Sequence, residues 1–199
     1  MKRRYIFASL LLTGFLILFG CGGGSSWDSA YCTEGADEIG VDICITVTPV
    51  DSPNVNAFTT DCNGDGKIDG DELLRDHNAT AAITSTQIIS NSIDPLYPIT
   101  IQGYTIEYFP DSLDSPGIKD FQPLGPVNII LFIDGTLSQD IVLVDLERKG
   151  EFATDISSGR FNSNLPQRYT AVYKFFGEKF GEEFESEAVT TFTIGAFCE

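Results

Sequence analysis

The chain has 199 residues, 29 of them acidic and 12 basic, for a net charge of −17 at pH 7 with its single histidine neutral. That balance excludes nucleic acid and anionic lipid headgroups as binding partners, because such a surface repels both. It favours cations, and most of the acidic excess is solvated surface.

Lys2, Arg3 and Arg4 form a positive start, and Tyr5 to Phe19 is an apolar run too short to span a bilayer comfortably. The run closes on Leu18-Phe19-Gly20-Cys21, which resembles the lipobox of bacterial lipoproteins. The resemblance implies that residues 1–20 are a signal peptide, that Cys21 is lipidated and that the chain is held on a lipid bilayer in the cell envelope. Gly22 after the cysteine implies the outer membrane where the source has two membranes, with the protein facing periplasm or exterior. Residues 21–31, with Gly22 to Ser26 reading GGGSS, are then a flexible tether. Without residues 1–20, nine basic groups remain against 29 acids, a net charge of −20.

Residues 32–78 form a cysteine-bearing segment whose twelve residues Asp61 to Glu72, DCNGDGKIDGDE, have the ligand spacing of an EF-hand calcium loop. Calcium takes six to eight oxygens, so a short loop must alternate ligands with spacers and turn sharply midway. Asp61, Asn63 and Asp65 fill positions 1, 3 and 5, and Gly66 at position 6 permits the turn. Lys67 offers its carbonyl, Asp69 ligates directly or through water, and Glu72 supplies the bidentate carboxylate. The upstream run DSPNVNAFTT is a poor helix, whereas Asp69 to His77 has acids first and Arg75 and His77 last, which predicts a short exit helix. This half-motif resembles dockerin-type calcium repeats. No second copy occurs, and DSLDSPGIKD at 111–120 lacks the spacing, so the resemblance implies structural calcium rather than cohesin binding or sensing.

With Cys21 lipidated, Cys32, Cys44, Cys62 and Cys198 remain. An even number in an exported chain predicts two disulfides, with three connectivities open. Zinc is the weaker reading, since no C-x2-C pair occurs and His77 has no cysteine beside it. Cys62, at loop position 2, points away from the metal and would brace the loop if bonded.

Residues 79–199 carry the strand pattern. Val41 to Thr48 already alternates strictly, and Ala79 to Ile89, Ile99 to Phe109, Val127 to Ile133, Asp140 to Leu146, Tyr169 to Phe176 and Glu187 to Ile194 are rich in β-branched and aromatic residues between turn clusters. No long helical period competes. The fold expected is mainly β, an antiparallel β-sandwich of immunoglobulin or fibronectin type preceded by the calcium-loop segment. Tyr169-Thr-Ala-Val-Tyr173 and its following hairpin resemble the late strands of bacterial Ig-like domains, which implies architecture and no activity.

Tyr169, Ala171, Tyr173 and Phe175 share one strand face and are expected in the core, while Phe180, between Gly177 and Gly181, is a candidate exposed contact. Nucleophilic catalysis needs a base near Ser, Thr or Cys, and the sole imidazole, His77, is expected as a surface group. Glu182, Glu183, Glu185 and Glu187 leave a carboxylate-dependent hydrolase as the third reading, with catalytic residues unassigned. The second is a carbohydrate-binding module using the Phe180 tip. The favoured reading is a non-catalytic, calcium-binding envelope lipoprotein that presents its sandwich to a protein or carbohydrate partner or serves envelope structure.

Overall fold

The computed structural model describes residues 31–32, 39–62, 64–66, 74–88, 98–123, 127–161 and 165–198. Cys21, the signal peptide and the residues from 21 to 30 lie outside them, as do Asn63, Lys67, Asp69 and Glu72.

Most described residues are in strands, arranged as two facing sheets. One has the order β1-β2-β4-β7, from β1 (Tyr31–Cys32), β2 (Val41–Pro49), β4 (His77–Gln87) and β7 (Thr136–Val144). The other has the order β3-β9-β8-β5-β6, from β3 (Asn54–Asn56), β9 (Glu182–Gly195), β8 (Gln167–Lys179), β5 (Ile99–Pro110) and β6 (Ile129–Leu131). Every pairing is antiparallel except β3 on β9.

Alternation dictates the faces. Val41, Ile43, Ile45 and Val47 of β2, Ala79, Ala81 and Ile83 of β4, and Tyr169, Ala171, Tyr173 and Phe175 of β8 are all buried in one core. The expected aromatic stripe on β8 is therefore core. On β5 the inward set would change face after Ile101, but a bulge between Ile101 and Gly103 shifts the register and returns Tyr104, Ile106 and Tyr108 to the interior. Gly103 gives room for Phe176 on the outer face, since a Cβ there would lie 2.4 Å from that ring.

Three tyrosine hydroxyls cross from the second sheet to β7. Tyr108 donates to the Leu143 carbonyl at 2.6 Å, Tyr173 donates to the Val142 carbonyl at 2.9 Å, and Tyr104 accepts from the Val142 amide at 3.1 Å. They serve β7 beside the shift at His77/Asn78 of β4, where ladder partners run out. Burial raises the pKa of all three tyrosines, that of Tyr173 well above the ordinary value.

Two expectations are corrected. The exit helix expected over 69–77 is not present in its described part: Leu74 to Asp76 are irregular and His77 opens β4. Favourable terminal charges stabilise a helix only when an apolar stripe packs it, and the alternation from Ala79 onward draws the chain into the sheet instead. Conversely, a helix α1 (Leu146–Ser157) follows β7 where none was expected. Asp145 caps it through the Arg148 amide and Glu147 lies in its first turn. Only Lys149 and Phe152 are buried along it, so its apolar signal is faint, yet Phe152 packs edge-on to Tyr169 and Phe58. The remaining strands agree with expectation apart from their ends, and the short β1 and β3 were not anticipated. The expected division at residue 78 runs through β4, and β2 pairs with β4 from Val41 to Pro49, so both sides contribute to one sheet.

Replacing Tyr108 by Phe leaves the buried Leu143 carbonyl without its hydroxyl and is expected to cost about 1–3 kcal/mol, read as a lowered urea midpoint at unchanged slope. Stability is also expected to fall above about pH 10, because unfolded tyrosines release protons there while the buried ones retain theirs.

Candidate functional site

The first half of the calcium-type loop is carried by the second sheet. β3 pairs with the end of β9 through Asn54, Val55 and Asn56. The Asn56 side chain then donates to the Phe197 carbonyl and accepts from the Phe197 amide, both at 2.7 Å, while the Ala57 amide donates to the Gly195 carbonyl at 2.9 Å. Six residues on, Cys62 is disulfide-bonded to Cys198, with Cα atoms 5.3 Å apart. The other disulfide joins Cys32 to Cys44, so one of the three open connectivities is selected.

Between these anchors the chain winds round Asp61. Its Oδ1 accepts from the Gly64 amide at 2.6 Å and the Asp65 amide at 3.2 Å, and its Oδ2 accepts from the Gly66 amide at 2.7 Å. Gly64 and Gly66 have φ of +75° and +82°, with nothing within 4 Å of an added Cβ. Backbone conformation, not space, is what calls for glycine at both. Gly66 was expected from loop position 6. Gly64 was not, and the Gly-Asp-Gly repeat was its available signal. Of the expected ligands, Asp61 and Asp65 are described and adjacent in this turn. Asn63, Lys67, Asp69 and Glu72 lie outside the described residues.

The chain leaving the loop is held by different elements. Lys149 of α1 donates to the Arg75 carbonyl at 2.6 Å, and Asp76 accepts from the Leu146 amide at 2.8 Å, satisfying an otherwise unpaired donor of the first helical turn. His77 contacts the Ser52 carbonyl through Nε2 at 2.9 Å, in a strand rather than at a helix end. A polar cavity of about 250 Å³ lies here, lined by Asp51, Asn54, Asp76, His77, Asn78 and Lys149 among others. Lys149 is buried at 2% exposure, and burial lowers its pKa to about 8, opposed by the charge of Asp76 and reinforced by that of Arg75.

Phe180 occupies the two-residue turn between β8 and β9. Its φ is +57° and that of Gly181 is +83°, the pair of left-handed residues that a tight hairpin requires. The ring is 55% exposed, with the Lys179 ammonium 5.4 Å from its centroid. Tyr104, Tyr108, Tyr169 and Tyr173 are buried in the core, so none of these four lines a groove with it. Glu182, Glu183, Glu185 and Glu187 are exposed, and no described Asp or Glu is buried.

These features define a two-sheet, mainly β protein with two disulfides and a glycine-wound acidic turn at one end. No described helix is long and apolar enough to cross a membrane. No protein family and no curated protein matches the chain. Among solved structures it is similar to one titled "Crystal structure of protein from Archaeoglobus fulgidus", at 13% identity and a TM-score of 0.37, over 67% of this chain and 93% of that one.

Lys149 makes stability depend on pH in a definite direction. Its folded pKa is below the ordinary lysine value, so the unfolded chain binds more protons between about pH 8 and 10, and unfolding free energy rises with pH there. Denaturant melts of the wild type are expected to show that rise, and Lys149→Met is expected to flatten it.

Proposed function

We propose that the chain is a calcium-binding envelope lipoprotein that presents a non-catalytic β-sandwich of immunoglobulin type to a partner or to the envelope itself. The observation that carries the calcium reading is the turn at Asp61, whose carboxylate gathers three successive amides while two glycines take left-handed conformations. Such winding turns carbonyls and side-chain oxygens towards a common interior, which is what a hard cation requires. Calcium there would join a first half tied to β9 and Cys198 with a second half tied to β4 and α1. Its role on this reading is to fix the junction between the sheets at this end.

Strand order supports the immunoglobulin reading. β2 pairs with β4 in one sheet, the chain crosses, and β3 pairs parallel to the last strand β9 in the other. With β2, β4 and β7 as strands A, B and E, and β5, β8 and β9 as C, F and G, the sheets divide as in that fold. The terminus supplies the anchor: Cys21 after an apolar run is the lipidation site, and its replacement by Ser is expected to move the protein from the membrane to the soluble fraction.

Thermal melts with calcium, magnesium and chelator test the central reading. Extracellular calcium modules bind at about 10⁻⁴ to 10⁻³ M, so millimolar calcium is expected to raise the midpoint by several degrees and magnesium to do much less. Glu72→Gln is expected to remove most of the shift by taking away the bidentate carboxylate, and Cys62→Ser to weaken it by releasing the braced half of the loop. No shift with calcium, or an equal one with magnesium, overturns the reading.

A second reading, a carbohydrate-binding module, is favoured by one observation. Phe180 holds an exposed aromatic ring in a left-handed conformation that a non-glycine residue adopts only at a cost. Phe180→Asn is expected to raise stability by about 1 kcal/mol, since Asn tolerates that conformation. On a glycan array, binding by the wild type that Phe180→Asn abolishes would favour this module, and no binding by either would leave the first reading in place.

A further inference from the structure

We propose that Cys32, Asp42 and Cys44 form a zinc site in the reduced chain, exchanging with the disulfide that joins the two cysteines when oxidised. β1 and β2 place Cys32 directly opposite Cys44, and Asp42, two residues before Cys44, shares its outward face. One ligand atom from each of the three side chains lies within 4.8 Å of the others. Oδ2 of Asp42 is 3.6 Å from Sγ of Cys44. Tetrahedral zinc with Zn–S of about 2.3 Å and Zn–O of about 2.1 Å requires S···O near 3.6 Å and S···S near 3.8 Å. The first spacing is already present, and opening the S–S bond with rotation of the exposed Cys32 side chain supplies the second.

Asp42 shows why the site does more than tolerate a metal. Its Oδ1 is buried with no hydrogen-bond partner among the described residues. The neighbouring Sγ of Cys44 carries no proton while disulfide-bonded. One buried oxygen of a half-buried carboxylate thus lies near a disulfide with no donor among the described residues, which costs free energy. Reduction followed by metal binding gives it a counter-charge. The chemistry balances with a dithiol reductant: it is oxidised to its own disulfide as two electrons and two protons pass to Cys32 and Cys44, and zinc then displaces both thiol protons. Two thiolates and one carboxylate suit zinc, and water completes the tetrahedron. Calcium, which needs six or more oxygens, does not compete. Either state holds the two-residue β1 to β2, so the edge strand keeps a staple under oxidising and reducing conditions alike.

Zinc titration of the full chain tests this, with native mass spectrometry as readout, excess calcium filling oxygen-only sites and a phosphine as reductant. The reduced chain is expected to retain one zinc and the oxidised chain none, and cobalt in its place to show sulfur-to-cobalt charge-transfer absorption. Asp42→Asn is expected to weaken zinc by about tenfold or more, since even outer partners of a zinc site carry that much. Reduction also opens Cys62–Cys198, so the Cys62→Ser/Cys198→Ser chain should keep the zinc and the Cys32→Ser/Cys44→Ser chain should lose it. Should the former fail to fold by circular dichroism, the latter decides alone. No uptake by the reduced wild type at micromolar zinc, or uptake undiminished in Cys32→Ser/Cys44→Ser, overturns the proposal.

Discussion

The contact between tyrosine hydroxyls and the backbone of β7 governs the end of the molecule where the candidate site lies. β7 pairs only with β4 among the described strands, and that ladder is interrupted at His77/Asn78. Tyr104, Tyr108 and Tyr173 take up the groups at Val142 and Leu143, so sheet spacing and backbone satisfaction are set by the same three side chains. Because α1 begins two residues after Val144, its first turn inherits that position. Lys149 and Asp76 then transmit it to the chain leaving the acidic turn.

Arg148 extends the same frame sideways. Its guanidinium lies 4.9 Å from the Phe121 ring centroid, pairs with Asp145 at 2.7 Å and donates to the carbonyls of Lys119 and Asp120. A planar fork with five donors can serve a ring, a carboxylate and two carbonyls together, which a lysine cannot. Among the described residues the segment from Gly117 to Phe121 has no strand ladder to hold it beyond the bridge of Phe121 with Ile106, and this arginine substitutes for one. The segment from Gly117 to Phe121 and the chain at Arg75 and Asp76 therefore share one support in α1.

The strands were legible because strict alternation survives in β2, β4, β8 and β9, where one face is buried and the other wet. The helix was not, since LERKGEFATDIS has a glycine in its middle and a lysine among its buried residues. Asp145 caps it, but a cap without an apolar stripe is a weak signal in sequence. In the described part of the expected exit helix the reason is complementary: well-placed charges around Leu74 to His77 invited a helix there that β4 pairing overrode. The turn at Asp61 was legible from the spacing of Asp61, Asp65 and Gly66, because a carboxylate that gathers successive amides and a left-handed glycine constrain sequence more tightly than packing does. Which cysteines pair was not, since β3 had to be seen alongside β9 before Cys62 could be put beside Cys198.

The bond between Cys62 and Cys198 has a topological meaning apart from any metal. It joins residues 136 apart, so β4 to β9 and α1 all belong to one covalent ring. Closing so long a loop withdraws about 5 kcal/mol of freedom from the unfolded chain on the chain-entropy account. A single peptide-bond cut inside the ring, such as one in the turn between β8 and β9, opens the ring and releases no fragment. One backbone break therefore leaves every strand of the ring still tethered to the rest.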